Sequence, residues 1–321
     1  TYMATSNNTA STGGRIEWVD TAKFIALGLM IFGHSYYGDH PVKIWICSFH
    51  MPLFFILSGF LYGLKRKQEI DLLPTIKRLA IQLLVPYYFW NLIIFVISLI
   101  SSGGHFEPRM LTFLVGYAHN AMWFVFALFL IKVMHAFVEK YRVETYALLF
   151  CLGYIFAYWY IEDRFIPPRI ISRMFIPYPF YLLGITLPPL IKRLETSKAL
   201  YFTLFAICFG LTILATMQGY IYDTFVVYVG FPLLYYLYGI AGTFVVIGVC
   251  RYLLRLPAKF VSMINIGSIF VIAMHGLCLR LFADAGVYEK LLYSFVTLSL
   301  MYFPIYVLNL YAPALLGRKK R

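Results

Sequence analysis

The feature that most constrains this chain is a succession of apolar runs, each about as long as the ~20 residues a membrane-crossing helix needs. Short polar links separate them. Inside a bilayer every backbone N–H and C=O must find its partner within the protein, so such runs fold as helices. Ten spans can be drawn, at about 17–37, 43–63, 79–101, 111–131, 146–161, 174–191, 199–217, 222–250, 260–283 and 290–316. The expected fold class is all-α, a polytopic transmembrane helical bundle. Composition agrees, at 61% hydrophobic, 19% aromatic and 13% charged, which excludes an ordinary soluble domain. Residues 1–14 read as a disordered leader, 15–317 as one membrane domain and 318–321 as a basic tail.

A net charge of +13 could suggest nucleic acid, but the placement of the basic residues argues for a membrane. Eighteen of the 27 Lys and Arg lie in the links after the second, fourth, sixth and eighth spans and in the tail. The alternate side holds seven: Lys43, Arg109, Arg164, Arg169, Arg173, Arg280 and Lys290. By the positive-inside rule both termini are cytoplasmic, as an even span count requires. The five cysteines, Cys47, Cys151, Cys208, Cys250 and Cys278, fall singly in apolar runs. They suggest packing; neither a disulfide framework nor a metal site is indicated.

The first span, RIEWVDTAKFIALGLMIFGHS, carries Asp20, Lys23 and His34. At 100° per residue, Asp20 and Lys23 each return to within about 40° of the direction of His34, so the three share a face. Lys23 and His34 are separated by about 16 Å along the axis. Ionisable groups inside a membrane helix are costly and mark function or pairing with neighbours. With the termini inside, Lys23 lies near the cytoplasmic entry and His34 near the exit, which Gly38-Asp39-His40-Pro41 marks as a turn. The second span begins SFHMPLFFILSGFLYG and brings His50 to the same outer side. His50 reads either as a site residue or as an interfacial histidine bonded to a carbonyl. Ser58-Gly59 provides a small surface where a helix or a ligand can come close.

Together these two stretches closely resemble the acyltransferase-3 family of integral membrane O-acyltransferases. The D-x-x-K form with GHS is most similar to its sugar O-acetylase branch, related to fucose 4-O-acetylases. KRLAIQLLVPYYFW (77–90), MWFVFALFL (122–130), FYLLGITL (180–187) and NIGSIFVIAMHG (265–276) resemble later family segments. Two departures stand out. The family usually has an arginine separated by ten residues from the histidine, and Lys23 holds that position here. A lysine offers phosphate a point charge without the bidentate fork of arginine. In the basic link the family often has two arginines three apart, whereas Arg78 is followed at that spacing by Ile81.

The resemblance implies acetyl-CoA, or another acyl-CoA, as co-substrate, no prosthetic group, and a carbohydrate hydroxyl, free or lipid-linked, as acceptor. The implied location is the bacterial plasma membrane, with lipids as surroundings and no nucleic-acid partner. The donor's phosphates would sit by Lys77, Arg78 and Lys23, with Asp20 beside them, and its pantetheine arm would climb the first helix. His34 is the expected general base, since imidazole titrates near neutrality. Direct attack of the hydroxyl on the thioester is expected, because no Ser-His or Cys-His motif is visible. Ser58 could donate to the oxyanion, Trp123 could shape the pocket or pack the core, and His275 could orient His34 or the acceptor. Arg169 and Arg173, in the outer link EDRFIPPRIISR, could hold an anionic acceptor. The alternatives are a transporter or flippase using the polar face of the first helix, and a non-catalytic membrane sensor.

Overall fold

In the computed structural model the described residues are 16–36, 40–65, 70–118, 120–161, 169–194, 198–219, 231–254, 256–280 and 287–318. They are helical throughout, with no strand among them. Helix α1 is Glu17–His34, α2 Pro41–Cys47, α3 His50–Gly63 and α4 Leu72–Leu79. A π-helical turn, Ala80–Leu84, carries α4 into α5, Val85–Ser101. The 3-10 segment Pro108–Val115 precedes α6, Trp123–Tyr141, and α7, Glu144–Tyr160. Next come α8 (Arg169–Phe175), α9 (Tyr178–Leu194), α10 (Lys198–Met217) and α11 (Pro232–Tyr252). Finally α12 (Ala258–Ile266), α13 (Ser268–Arg280) and α14 (Val287–Tyr311) lead to a 3-10 turn at Pro313–Leu316. The leader, the basic residues Arg66, Lys67 and Arg255, residues 162–168 of the outer link and the last three tail residues lie outside the described residues.

Among the described residues, six segments are long and apolar enough to cross a bilayer: Pro41–Gly63, Leu72–Ser101, Arg169–Ile191, Ala199–Met217, Pro232–Tyr252 and Lys290–Tyr311. Helices α12 and α13 add a seventh if taken as one span, bent by 84° at Gly267. The ninth expected span is therefore two helices meeting at a sharp bend, the geometry of a broken span or of a re-entrant loop. Helices α1, α6 and α7 correspond to the remaining expected spans but differ in kind. Glu17, Asp20 and Lys23 punctuate α1, and Lys132, Glu139 and Lys140 punctuate α6. Helix α7 has only 17 residues.

The fourth expected span, 111–131, needs correcting. Residues 111–115 belong to the 3-10 segment, and the helix continues to Tyr141. Lys132, His135 and Glu139, expected near or in a cytoplasmic link, thus lie on α6. Burial explains how an apolar helix tolerates them. His135 and Glu139 are 1% and 8% exposed, and they pair one turn apart at 3.6 Å. The Tyr62 hydroxyl donates to the Glu139 carboxylate, and His135 Nδ1 meets the Tyr178 hydroxyl at 3.1 Å. A charge buried in this way survives because it is paired and hydrogen-bonded.

Helix α1 is the hub. It packs against α2, α3, α11, α12, α13 and α14, burying Ala22, Ala26, Leu27 and Ile31 completely. Its acidic first turn, with Glu17 and Asp20, suits the positive end of the helix dipole. Asn265 Nδ2 donates to the Asp20 carbonyl at 2.7 Å and ties α12 to that turn. The most extensive helix pair is α3 on α9. Its cause is glycine: a Cβ on Gly184 would collide with the Ile56 carbonyl oxygen, and one on Gly59 with the Tyr181 carbonyl oxygen. Gly63, one turn beyond Gly59, would meet Ile185 O at 2.6 Å. Small residues four apart let helix backbones approach closely in a bilayer, so the Ser58-Gly59 surface faces a helix on its glycine side.

Candidate active site

The end of α1 opens into a cavity of about 440 Å³. Its walls come from five helices: Met30 and His34 of α1, Lys43 and Cys47 of α2, His50 and Phe54 of α3, Trp123 and Phe124 of α6, and His275 and Gly276 of α13. Chain segments more than 200 positions apart thus converge on one space. His34 sits deep among protein atoms yet is exposed, because its side chain faces the open lumen. His50, Lys43 and His275 lie within electrostatic reach of it.

The three histidines are held differently. The His275 ring stands edge-on to that of His34, with centroids 5.1 Å apart. Its Nδ1 lies 3.1 Å from Val271 O and 3.0 Å from Ile272 O. A carbonyl only accepts, so Nδ1 carries the proton and Nε2 of the neutral ring is left as an acceptor. His50 repeats the arrangement, with Nδ1 3.0 Å from Ile46 O. His50 thus meets a carbonyl and also stands in the cavity wall. His34 makes no hydrogen bond to any described residue, so its ring is available to an incoming group. Tyr36 lines the same cavity with a buried hydroxyl that has no hydrogen-bond partner among the described residues, and His40 stacks on its ring at 4.3 Å.

At the other end of α1 the sequence pointed to Lys23, Asp20, Lys77 and Arg78. Lys77 and Arg78 are exposed on α4, whereas Lys23 and Asp20 are partly buried on α1. Lys132 of α6 lies close enough to Lys23 and Arg78 for their like charges to repel. This residue was missed because Lys132 follows an apolar run and reads as the start of a cytoplasmic link. A local signal existed: His135 and Glu139, three and seven positions on, continue its helical face with Lys132. Three cations from α1, α4 and α6 thus converge, and like charges gathered in this way favour an anion. Replacing Lys132 with glutamine is expected to weaken binding of a polyphosphate anion, with CoA as the probe, about tenfold, the scale of one lost charge-assisted contact. Isothermal titration of the folded variant with CoA checks this, and unchanged affinity would remove Lys132 from the site.

Other expected residues are dispersed. Ser58 lies one turn beyond Phe54 on α3 and does not line the cavity. Arg169 is exposed, donating from NH1 to the Tyr117 hydroxyl at 2.8 Å. Arg173 is only 2% exposed, with its guanidinium 5.0 Å from the Tyr117 ring centroid and 5.1 Å from that of Trp123. It is thus a buried cation on α8 that backs the Trp123 wall, where the sequence suggested a loop residue facing outward. Neither arginine lines the His34 cavity.

The family model described as "Acyltransferase domain" matches residues 16–318, which includes every residue named above. No curated protein and no solved structure matches the chain.

Proposed function

Because the chain belongs to the acyltransferase-3 family, we propose that it moves an acetyl group from cytoplasmic acyl-CoA to a hydroxyl of an extracytoplasmic carbohydrate. The protein is an integral membrane acyltransferase by family and by its apolar helices. The finer reading is that of a sugar O-acetylase in a bacterial plasma membrane, with ten spans and both termini cytoplasmic. One observation carries it: α1 joins a cation cluster at its first turns to a histidine-lined cavity at its last. The two are separated by about 16 Å of helix, a span suited to a pantetheine arm with its phosphates inside.

In this reading the acceptor hydroxyl enters the cavity and His34 takes its proton as the oxygen attacks the thioester carbonyl. The tetrahedral intermediate collapses with loss of the CoA thiolate, which takes the proton back from the imidazolium. Atoms and charge balance without a covalent acyl-enzyme. His275, anchored through Nδ1, presents Nε2 as a ring acceptor that can orient the acceptor hydroxyl, and His50 stands beside it in the cavity wall. Trp123, held by Arg173, gives the cavity a rigid aromatic wall.

Purified protein incubated with acetyl-CoA and total envelope glycans should release free CoA, and mass analysis should find acetylated glycan. Absence of glycan-dependent CoA release would overturn the transferase reading and favour a solute path along α1.

A further inference from the structure

A second polar cleft, of about 360 Å³, adjoins the His34 cavity, and Asn120 belongs to the lining of both. The cleft is walled by α5, the segment before α6 and the end of α13. Asn91, Ser98, Thr112, Asn120, Arg109 and Arg280 supply its polar groups. The distribution of basic residues sets Arg109 and Arg280 on the side opposite the cytoplasmic links.

Its hydrogen-bonding inventory is one-sided. Asn120 Nδ2 donates to Asn91 Oδ1 at 3.1 Å, and Asn120 Oδ1 accepts from the Met122 amide at 2.9 Å. Asn91 Nδ2 donates to Tyr87 O at 2.9 Å. Both amide oxygens are therefore engaged, while each amide NH₂ keeps a second hydrogen. The Thr112 hydroxyl is held between the Arg109 and Tyr117 carbonyls. Arg109 is paired through Nε with the carboxylate of Glu107, leaving its outer guanidinium hydrogens. Arg280 has no ion-pair partner among the described residues, and the described lining of the cleft holds two arginines and no carboxylate. A pocket with spare donors and a cationic lining suits a ligand rich in acceptors and negatively charged.

We infer that this cleft holds the anionic group, carboxylate or phosphate, of the acceptor saccharide while its hydroxyl reaches His34. The inference rests on the acyl-transfer reading and names the substrate class for that site. It also moves anion recognition from Arg169 and Arg173, which do not line the cleft, to Arg109 and Arg280.

Binding tests it without turnover. The full chain in phospholipid-free detergent is titrated with trigalacturonate and with its neutral methyl ester, then with maltotriose 1-phosphate and with maltotriose. At least one charged member should bind about tenfold more tightly than its neutral counterpart. Arg280→Gln should remove most of that preference and Arg280→Lys restore part of it, while CoA affinity stays unchanged. Equal binding within both pairs overturns the inference, as does a preference that survives in both Arg280→Gln and Arg109→Gln. A repeat in nanodiscs containing phosphatidylglycerol separates the source of the anion. If that lipid alone occupies the cleft and the charged saccharides do not displace it, the site is a headgroup site and the inference falls. Failure of CoA release in the turnover assay would leave these binding results standing, so the two readings fail separately.

Discussion

Replacing His34 with alanine is expected to cut acyl transfer by about 10²–10⁴-fold, the usual worth of a positioned general base, with little change in stability. The reason is how the ring is held. It faces the cavity lumen and makes no hydrogen bond to a described residue, so removing it orphans no buried partner. The edge-on contact with His275 is lost, but His275 stays anchored through Nδ1 on Val271 and Ile272. Free CoA release is the readout, with the thermal midpoint and gel-filtration profile as controls for folding. Retention of most of the rate by a folded His34→Ala protein would overturn the assignment. His275→Ala is a useful contrast: it removes a buried ring from the wall and should reduce both rate and stability.

Gly184→Leu should destroy the α3–α9 pair and with it the folded protein. Even the first added carbon, in Gly184→Ala, meets backbone, which cannot rotate aside as a side chain can. Overpacking of this kind costs about 1–3 kcal/mol or more, and three further carbons would force the helices apart. Because His50 and Phe54 of the cavity wall stand on α3, activity should fall with stability. Gly153→Ala is the control. A Cβ there meets nothing within 4 Å, and alanine is the better helix former by about 1 kcal/mol. Thermal melting in detergent compares the variants. A Gly184→Leu protein that melts with the parent would show that the helices are not in close contact.

The residues that were legible in the sequence share one helix. Asp20, Lys23 and His34 declared themselves because helical periodicity alone fixes their common face. Span order and the charge pattern already put His50 on the outer side with His34, whereas Trp123 and His275 entered the site only through family resemblance. Hydropathy misled where polarity was buried. Lys132, His135 and Glu139 looked like a cytoplasmic link, yet Tyr62 and Tyr178, from distant helices, meet Glu139 and His135 Nδ1. The bend at Gly267 was hidden for the opposite reason, since a glycine in an apolar run carries no sign of an 84° turn. Arg173 looked like an outer-loop cation, and its contacts with the rings of Tyr117 and Trp123, which help to bury it, could not be read from local sequence. The cleft around Arg109 and Arg280 unites positions far apart in the chain, beyond the reach of any local pattern.

The glycine-mediated contact of α3 with α9 also has a consequence for biogenesis. At about 5–20 residues per second, a ribosome needs about 6–25 s to proceed from Gly59 to Gly184. Throughout that interval α3 rests in the bilayer against α1 and α2 while the groove it will share with α9 is open to lipid. His34 and His50 are by then already synthesised, but the helix bearing His50 lacks its backing. A nascent chain arrested in this window exposes the glycine face that α9 covers in the finished bundle.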